Sequence, residues 1–131
     1  MNMSNYLATA LLNMVFRNTA YTRPTTVYVA LYTSNPTAAD TGQEVTGGAY
    51  ARQAVTFSAP VTEGGVRTIK NTADITFPTA TADWGAVTHI GIRDAATGGN
   101  LLYFDNLDNA RTILSGDVFK ILTSNLALTL S

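Results

Sequence analysis

Two hydrophobic periods organise this chain, and the helical one occurs only once. Leu7, Ala8, Leu11, Leu12 and Val15 stand at i, i+4 and i+8 with their neighbours, the spacing that gathers side chains on one face of an α-helix. Ser4 precedes the run and suits an N-cap, because its hydroxyl can accept from a free amide of the first turn. The pattern predicts a helix over about residues 4–18, ending near Arg17 and Asn18. Met14 and Phe16 widen its apolar face. A face that broad has to lie on something apolar, either the sheet of its own chain or a partner.

After Pro24 the period falls to two. Val27, Val29 and Leu31 alternate with Tyr28, Ala30 and Tyr32, and both sets are apolar. That predicts a strand over residues 26–32 that is central in its sheet or covered by the helix. Residues 37–48 read as a polar loop. Further strands are predicted over 50–57, 66–70, 73–77 and 87–93, with a loop at 60–65 closing on Gly64 and Gly65 and another at 79–83. In the strand at 87–93, alternation puts Val87, His89, Gly91 and Arg93 on one face and Thr88, Ile90 and Ile92 on the other. Residues 94–100 form a hairpin connection in which Gly98 and Gly99 supply positive φ angles, and 101–104 is its return strand. Ile113 belongs to another short strand, 115–117 is a turn, and strands at 118–121 and 126–130 complete the set. Many short strands between Gly, Pro, Asn and Asp turns predict a mainly β fold. The expectation is one domain over residues 1–131, an antiparallel β-sandwich of jelly-roll or immunoglobulin-like type, or a barrel-like sheet pair, with one N-terminal helix.

Composition adds a clue about the surface. Apolar residues make up 46% of the 131, enough for a packed core, while charged residues make up only 13%, about half the usual share. Thr, Ser, Asn and Ala cover the outside instead. Neutral hydroxyls and methyls lose less on leaving water than ions do, so such a surface suits a subunit packed against neighbours. The net charge is −1 and the basic residues are scattered, which argues against nucleic acid as a partner. There is no cysteine, so disulfides and thiolate metal sites are excluded. Residues 1–4 carry no basic stretch, and Asn13, Arg17 and Asn18 interrupt the apolar run behind them. The expectation is neither a signal peptide nor a membrane span, and synthesis in the cytoplasm.

Candidate chemistry is sparse. His89 is the only histidine, and no nucleophile-elbow pattern accompanies it, so it reads as a strand histidine satisfied by a neighbouring backbone group. The segments 40–44 and 94–100 were the two places to look for calcium, but neither has the carboxylate density such a loop needs, and both read as turns. No pair among the nine acids is singled out for glycoside hydrolysis. No catalytic, cofactor or metal residue is assigned. Trp84 has two readings: a plug at the end of a sandwich core, or an exposed anchor for an interface or a sugar ring. With Tyr28 and Tyr32 from the first strand and Leu7 and Leu11 from the helix, it makes up the candidate contact set for a protein partner or a glycan.

Four stretches carry a resemblance. They are residues 5–12 running into Thr25-Thr26-Val27-Tyr28-Val29-Ala30-Leu31-Tyr32-Thr33-Ser34-Asn35-Pro36; Gly42-Gln43-Glu44-Val45-Thr46-Gly47-Gly48-Ala49-Tyr50-Ala51-Arg52-Gln53; Ile75-Thr76-Phe77-Pro78 with residues 83–92; and Gly98-Gly99-Asn100-Leu101-Leu102-Tyr103 with Ser115-Gly116-Asp117. In this order and spacing the chain resembles a family of small bacteriophage proteins described as tail fibre or minor structural proteins. The resemblance implies a virion component without catalytic residues. It implies homo-oligomerisation, with a trimer as the expected order, and contact with other virion proteins such as major capsid or tail proteins. The chain has no shaft, coiled coil or repeat, so a capsid decoration (cement) protein fits its length as well as a fibre-associated subunit. The alternative function is a carbohydrate-binding module for a host surface glycan, acting through Trp84 or surface tyrosines.

Overall fold

The computed structural model describes residues 1–130. Its strands are β1 (Asn2–Met3), β2 (Val27–Tyr32), β3 (Gln53–Val55), β4 (Val61–Glu63), β5 (Val66–Lys70), β6 (Ile75–Thr76), β7 (Gly85–Arg93), β8 (Leu101–Ile113), β9 (Lys120–Ile121) and β10 (Ala127–Leu130), and its helix is α1 (Asn5–Phe16). The fold is mainly β, and the strand pairings are antiparallel. One sheet has the order β1-β8-β7-β2-β3, a second β10-β5-β4, and a third β6-β9. Side chains from all three sheets share one core, with Val29, Leu31, Ile90, Ile92 and Leu102 from the large sheet meeting Ile69, Ile75, Phe119 and Leu128 from the two smaller sheets and the turns beside them. This is the layered burial expected of an antiparallel sandwich.

The doubly apolar pattern of β2 has the predicted meaning. β2 lies inside the large sheet between β7 and β3, and both its faces are covered. Val29 and Leu31 enter the main core, whereas Ala30 and Tyr32 join Leu101 and Phe104 in a second cluster on the other side.

Several boundaries differ from the sequence pattern, each for a local reason. The strand expected at 50–57 is paired to β2 only over Gln53–Val55, after which the chain leaves the large sheet and Phe57 bridges Asn71 of the neighbouring one. The expected loop at 60–65 is a hairpin: Glu63 pairs with Val66 across Gly64 and Gly65, both at positive φ, the requirement of a two-residue turn that twists with its strands. The strands expected at 73–77 and 118–121 shrink to the two-residue pair β6 and β9. The segments around 101–104 and Ile113 are one long strand, β8. The two-residue β1 has no counterpart in the sequence pattern.

Alternation also fails once inside β7. Val87 faces the main core together with Ile90 and Ile92, because the ladder to β8 slips between Val87 and His89. At this slip Thr88 alone stands opposite four residues of β8, Leu107, Asp108, Asn109 and Ala110. Inserted residues on one strand reset which side chains face inward.

Two polar arrangements hold the layers together. Asn71 is 1% exposed and makes every bond its amide offers: Nδ2 donates to the Ala73 and Leu122 carbonyls at 2.9 and 3.0 Å, and Oδ1 accepts from the Leu126 amide at 2.9 Å. It thereby stitches the turn before β10 to the end of β5. The second arrangement is a pair of arginine forks. Arg52 binds Glu44 through Nε and Nη2 at 2.8 and 2.7 Å, and its Nη1 donates to the Ala95 and Gly98 carbonyls, both at 2.8 Å. Arg93 binds Asp40 through Nη1 and Nη2 at 2.8 and 2.9 Å and donates to the Gly99 carbonyl at 2.9 Å and the Tyr32 hydroxyl at 3.0 Å. Together they fasten the loop between β2 and β3 and the β7–β8 hairpin to the sheet. Bidentate charge-assisted bonds of this kind are among the strongest polar contacts a fold has.

The loop fixed in this way also receives the helix. The Ser4 hydroxyl donates to the Leu101 carbonyl and accepts from the Leu7 amide at 3.1 Å, as a cap should, and the Asn5 amide donates to the Ala38 carbonyl at 2.8 Å. The helix closes one residue short of Arg17, whose amide bonds the Asn13 carbonyl.

Two consequences are measurable. Replacing Asn71 by Ala strands the buried Leu126 amide and removes the donors to the Ala73 and Leu122 carbonyls, so Asn71→Ala is expected to cost about 2 kcal/mol in urea unfolding. Burial alone would raise the Glu44 carboxyl, but hydrogen bonds from Arg52 and Tyr50 and the charge of Arg52 outweigh it and hold the group below its ordinary value of 4.5. A carboxyl lowered in the folded state adds stability that is complete above that ordinary value and is lost as pH falls through the depressed one. Thermal melts between pH 7 and pH 3 should therefore show Glu44→Gln about 2 kcal/mol less stable at neutral pH, with a shallower loss in acid than the parent protein.

Candidate functional site

The helix is the part of the molecule least used by its own fold. None of its residues is buried. Successive residues advance about 100° around the axis, which separates two apolar stripes. Leu7, Leu11 and Met14 form one, and Leu7 packs against the main core. Ala8, Leu12 and Val15 form the other, with Phe16 beside them; Ala8 is half-buried and the rest of this stripe is exposed. Leu12 is 58% exposed, Val15 61% and Phe16 78%. Burying a side chain of this size contributes about 1.5–3 kcal/mol, so the bare stripe forgoes several kcal/mol while it faces water.

The flank between the stripes is partly occupied. Tyr21, from the segment after the helix, lies beside Tyr6 and borders with Thr9 and Ala10 an open depression of about 420 Å³. Burial raises the Tyr21 hydroxyl above its ordinary value, with Tyr6 and Asp94 adding to the shift. From Asn5 to Phe16 the helix carries no charged residue.

The five sequence candidates scatter over the fold. Leu7 and Leu11 are half-buried, with Leu7 packed against the main core, while Leu12, Val15 and Phe16 beside them are exposed. Trp84 is 5% exposed and meets Tyr50 edge-on with ring centres 5.5 Å apart. Its Nε1 donates to the Gly48 carbonyl at 2.8 Å, and Gly48 sits so close that a Cβ there would come within 2.8 Å of the indole nitrogen. Trp84 is a core plug, and its ring faces are not free to stack on a sugar. Tyr32 is 1% exposed, with its hydroxyl taken by Arg93, so it is not a surface contact either. Tyr28 is half-buried at the opposite end of β2, in register with Arg93.

The remaining chemical candidates are engaged locally. His89 is half-buried, and its Nδ1 lies 2.8 Å from the Thr88 hydroxyl, where a backbone partner had been expected. Asp40 is occupied by Arg93 of β7, and Asp94 accepts from the amide and side chain of Asn100 at 2.7 and 3.1 Å, so one carboxylate ties its loop to the sheet and the other holds its own turn. One groove lies where no sequence pattern points. Leu107, Asp108 and Arg111 of β8 face Phe119, Lys120 and Leu122 across about 370 Å³, with the Arg111 guanidinium 6.0 Å above the Phe119 ring. Asp105, Asn106, Asp108 and Asn109 are poor strand formers, so no strand period shows in this part of β8. No helix among the described residues is long and apolar enough to cross a membrane.

Comparison with known proteins gives this geometry a setting. No curated protein matches the chain. The family described as Podophage GP4 fiber I protein gp80 matches residues 2–129, from β1 into β10. That span takes in the capped helix, the fastened loops and all three sheets. The chain therefore belongs to this family of phage fibre proteins, and its role is that of a structural component of the virion.

Proposed function

We propose that the protein is a non-catalytic subunit of the tail-fibre apparatus, made in the host cytoplasm and present on each particle in several copies, with three as the expected grouping. It is held to its own copies and to neighbouring virion proteins by shape and apolar contact. The observation that carries this reading is the fibre-family match over residues 2–129 on a chain whose helix leaves an uncharged apolar stripe uncovered. A low share of charged residues supports it, since a surface that gives up few hydrated ions loses little on assembly. The core position of Trp84 and Tyr32 weighs against glycan recognition and leaves Tyr28 as the one partly exposed aromatic of the candidate set.

A reconstruction of the intact virion, with the protein located by a bound antibody fragment, tests the assignment. Density at the fibres is the expected result. Density over the shell would make it a capsid decoration protein, and absence from purified particles would overturn the virion reading for this chain. Screening the isolated protein on a glycan array should give no binding.

A further inference from the structure

We infer that α1 and the loop over residues 36–42 come off the sheet as one unit, and that the fork between Arg93 and Asp40 sets how often they do. The fork acts as a latch on a helix that it does not touch.

The ties of the helix lie almost wholly at its start. Leu7 packs on the main core, and no residue from Asn5 to Phe16 is buried. Ahead of the helix, β1 pairs two residues with β8 and Met1 packs on the core. Behind it, the segment 17–26 that leads to β2 has no regular structure. Hydrogen bonds seat the helix start on two pieces of main chain. The Ser4 amide donates to the Leu102 carbonyl at 2.9 Å and the Ser4 hydroxyl to the Leu101 carbonyl, while the Asn5 amide donates to the Ala38 carbonyl at 2.8 Å. An element held at one end, with few buried side chains, opens locally at a cost well below that of unfolding the domain.

Both seats trace back to one guanidinium. Arg93 holds the Asp40 carboxylate, just past Ala38, and its Nη2 also holds the Gly99 carbonyl, just before Leu101. The loop seat is strained as well. Thr37 and Asp40 flank Ala38 at φ of 61° and 59°, left-handed values that are costly for a β-branched residue above all. Such a backbone keeps its shape only while its surroundings impose it. Here Asn35 Oδ1 accepts from the Thr37 amide at 2.9 Å, the Thr37 carbonyl accepts from the Asp40 amide at 3.1 Å, and the fork pins the far side of the turn. With the fork broken the turn relaxes. Ala38 moves with it, and Ala38 both receives Asn5 and packs on the cluster of Ala30, Tyr32, Leu101 and Phe104. The exposed side chains of Leu12, Val15 and Phe16 thus ride on an arm whose seating is set from outside the arm.

Amide hydrogen exchange on the intact protein tests the coupling, with a substitution at each end of it. Asp40→Asn keeps a side chain that tolerates left-handed backbone but takes the opposing charge from Arg93, whose bond to Gly99 remains. It is expected to speed exchange over residues 5–16 and over 36–42 by the same factor, roughly tenfold, while the β4–β5 hairpin in another sheet keeps its rate. Asn5→Pro removes the amide that reaches Ala38. Proline suits the first position of a helix, and Ser4, at φ −70° and ψ 160°, already has the backbone that a following proline requires. In that background Asp40→Asn should still speed the loop and leave the helix as it was. A helix rate that Asp40→Asn alone leaves unchanged, or changes by a factor different from that of the loop, would overturn the inference. So would equal acceleration of the helix with and without Asn5→Pro.

Discussion

Arg93 lies on the outer face of the large sheet, where Tyr32 and Ala30 also point, and it is 8% exposed. A guanidinium in that position has to be met by acceptors, and Asp40, Tyr32 and the carbonyls of the β7–β8 hairpin supply them. Satisfying this one cation draws a polar loop across an apolar face that would otherwise be wet. Arg52 repeats the device with Glu44 on the same loop. The sheet is thus covered on both sides although the chain supplies sandwich strands on only one. The helix in turn begins on the loop that Arg93 fixes, through the Ala38 carbonyl. Ion pairs buried to this degree contribute little net stability over an apolar substitute, but losing one partner leaves the other stranded, which makes the arrangement specific.

The helix shows the opposite economy. It is capped well at its start, anchored to β8 through Ser4, and then left with half its apolar surface in water. The single chain leaves those side chains uncovered, and the proposed assembly is where a partner would cover them. Membership of a fibre family supplies a context in which such contacts are made. Shape and uncovered apolar area can serve assembly without any reactive group.

Much of the fold was legible because its signals are local. Ser4 as a cap, the doubly apolar β2 and the Gly98-Gly99 hairpin depend on neighbours a few residues away, and the structure bears them out. The failures share a different cause. Val87 changed faces because four residues of β8 crowd opposite Thr88, a long-range mismatch that no period in β7 records. The short pairing of β3 reflects the crossing of Phe57 to a second sheet. Arg52 read as one member of an alternating strand, whereas its role comes from partners some forty residues away in the hairpin. Spacing reveals that the helix has an apolar stripe but not which side of it the sheet takes, and the sheet takes the side of Leu7. The resemblance to fibre proteins was legible along the whole chain, and the family match agrees with it.

The arginine forks grip the β7–β8 hairpin in a particular way. Every bond they make to it ends on a main-chain carbonyl, at Ala95, Gly98 or Gly99. Such a grip is blind to side-chain identity. Ala96 and Thr97, both exposed, can change without disturbing what holds the tip in place. The geometry is inherited from the glycines and the arginines, and the chemical character of the tip is left free to drift. Variation here carries almost no structural penalty.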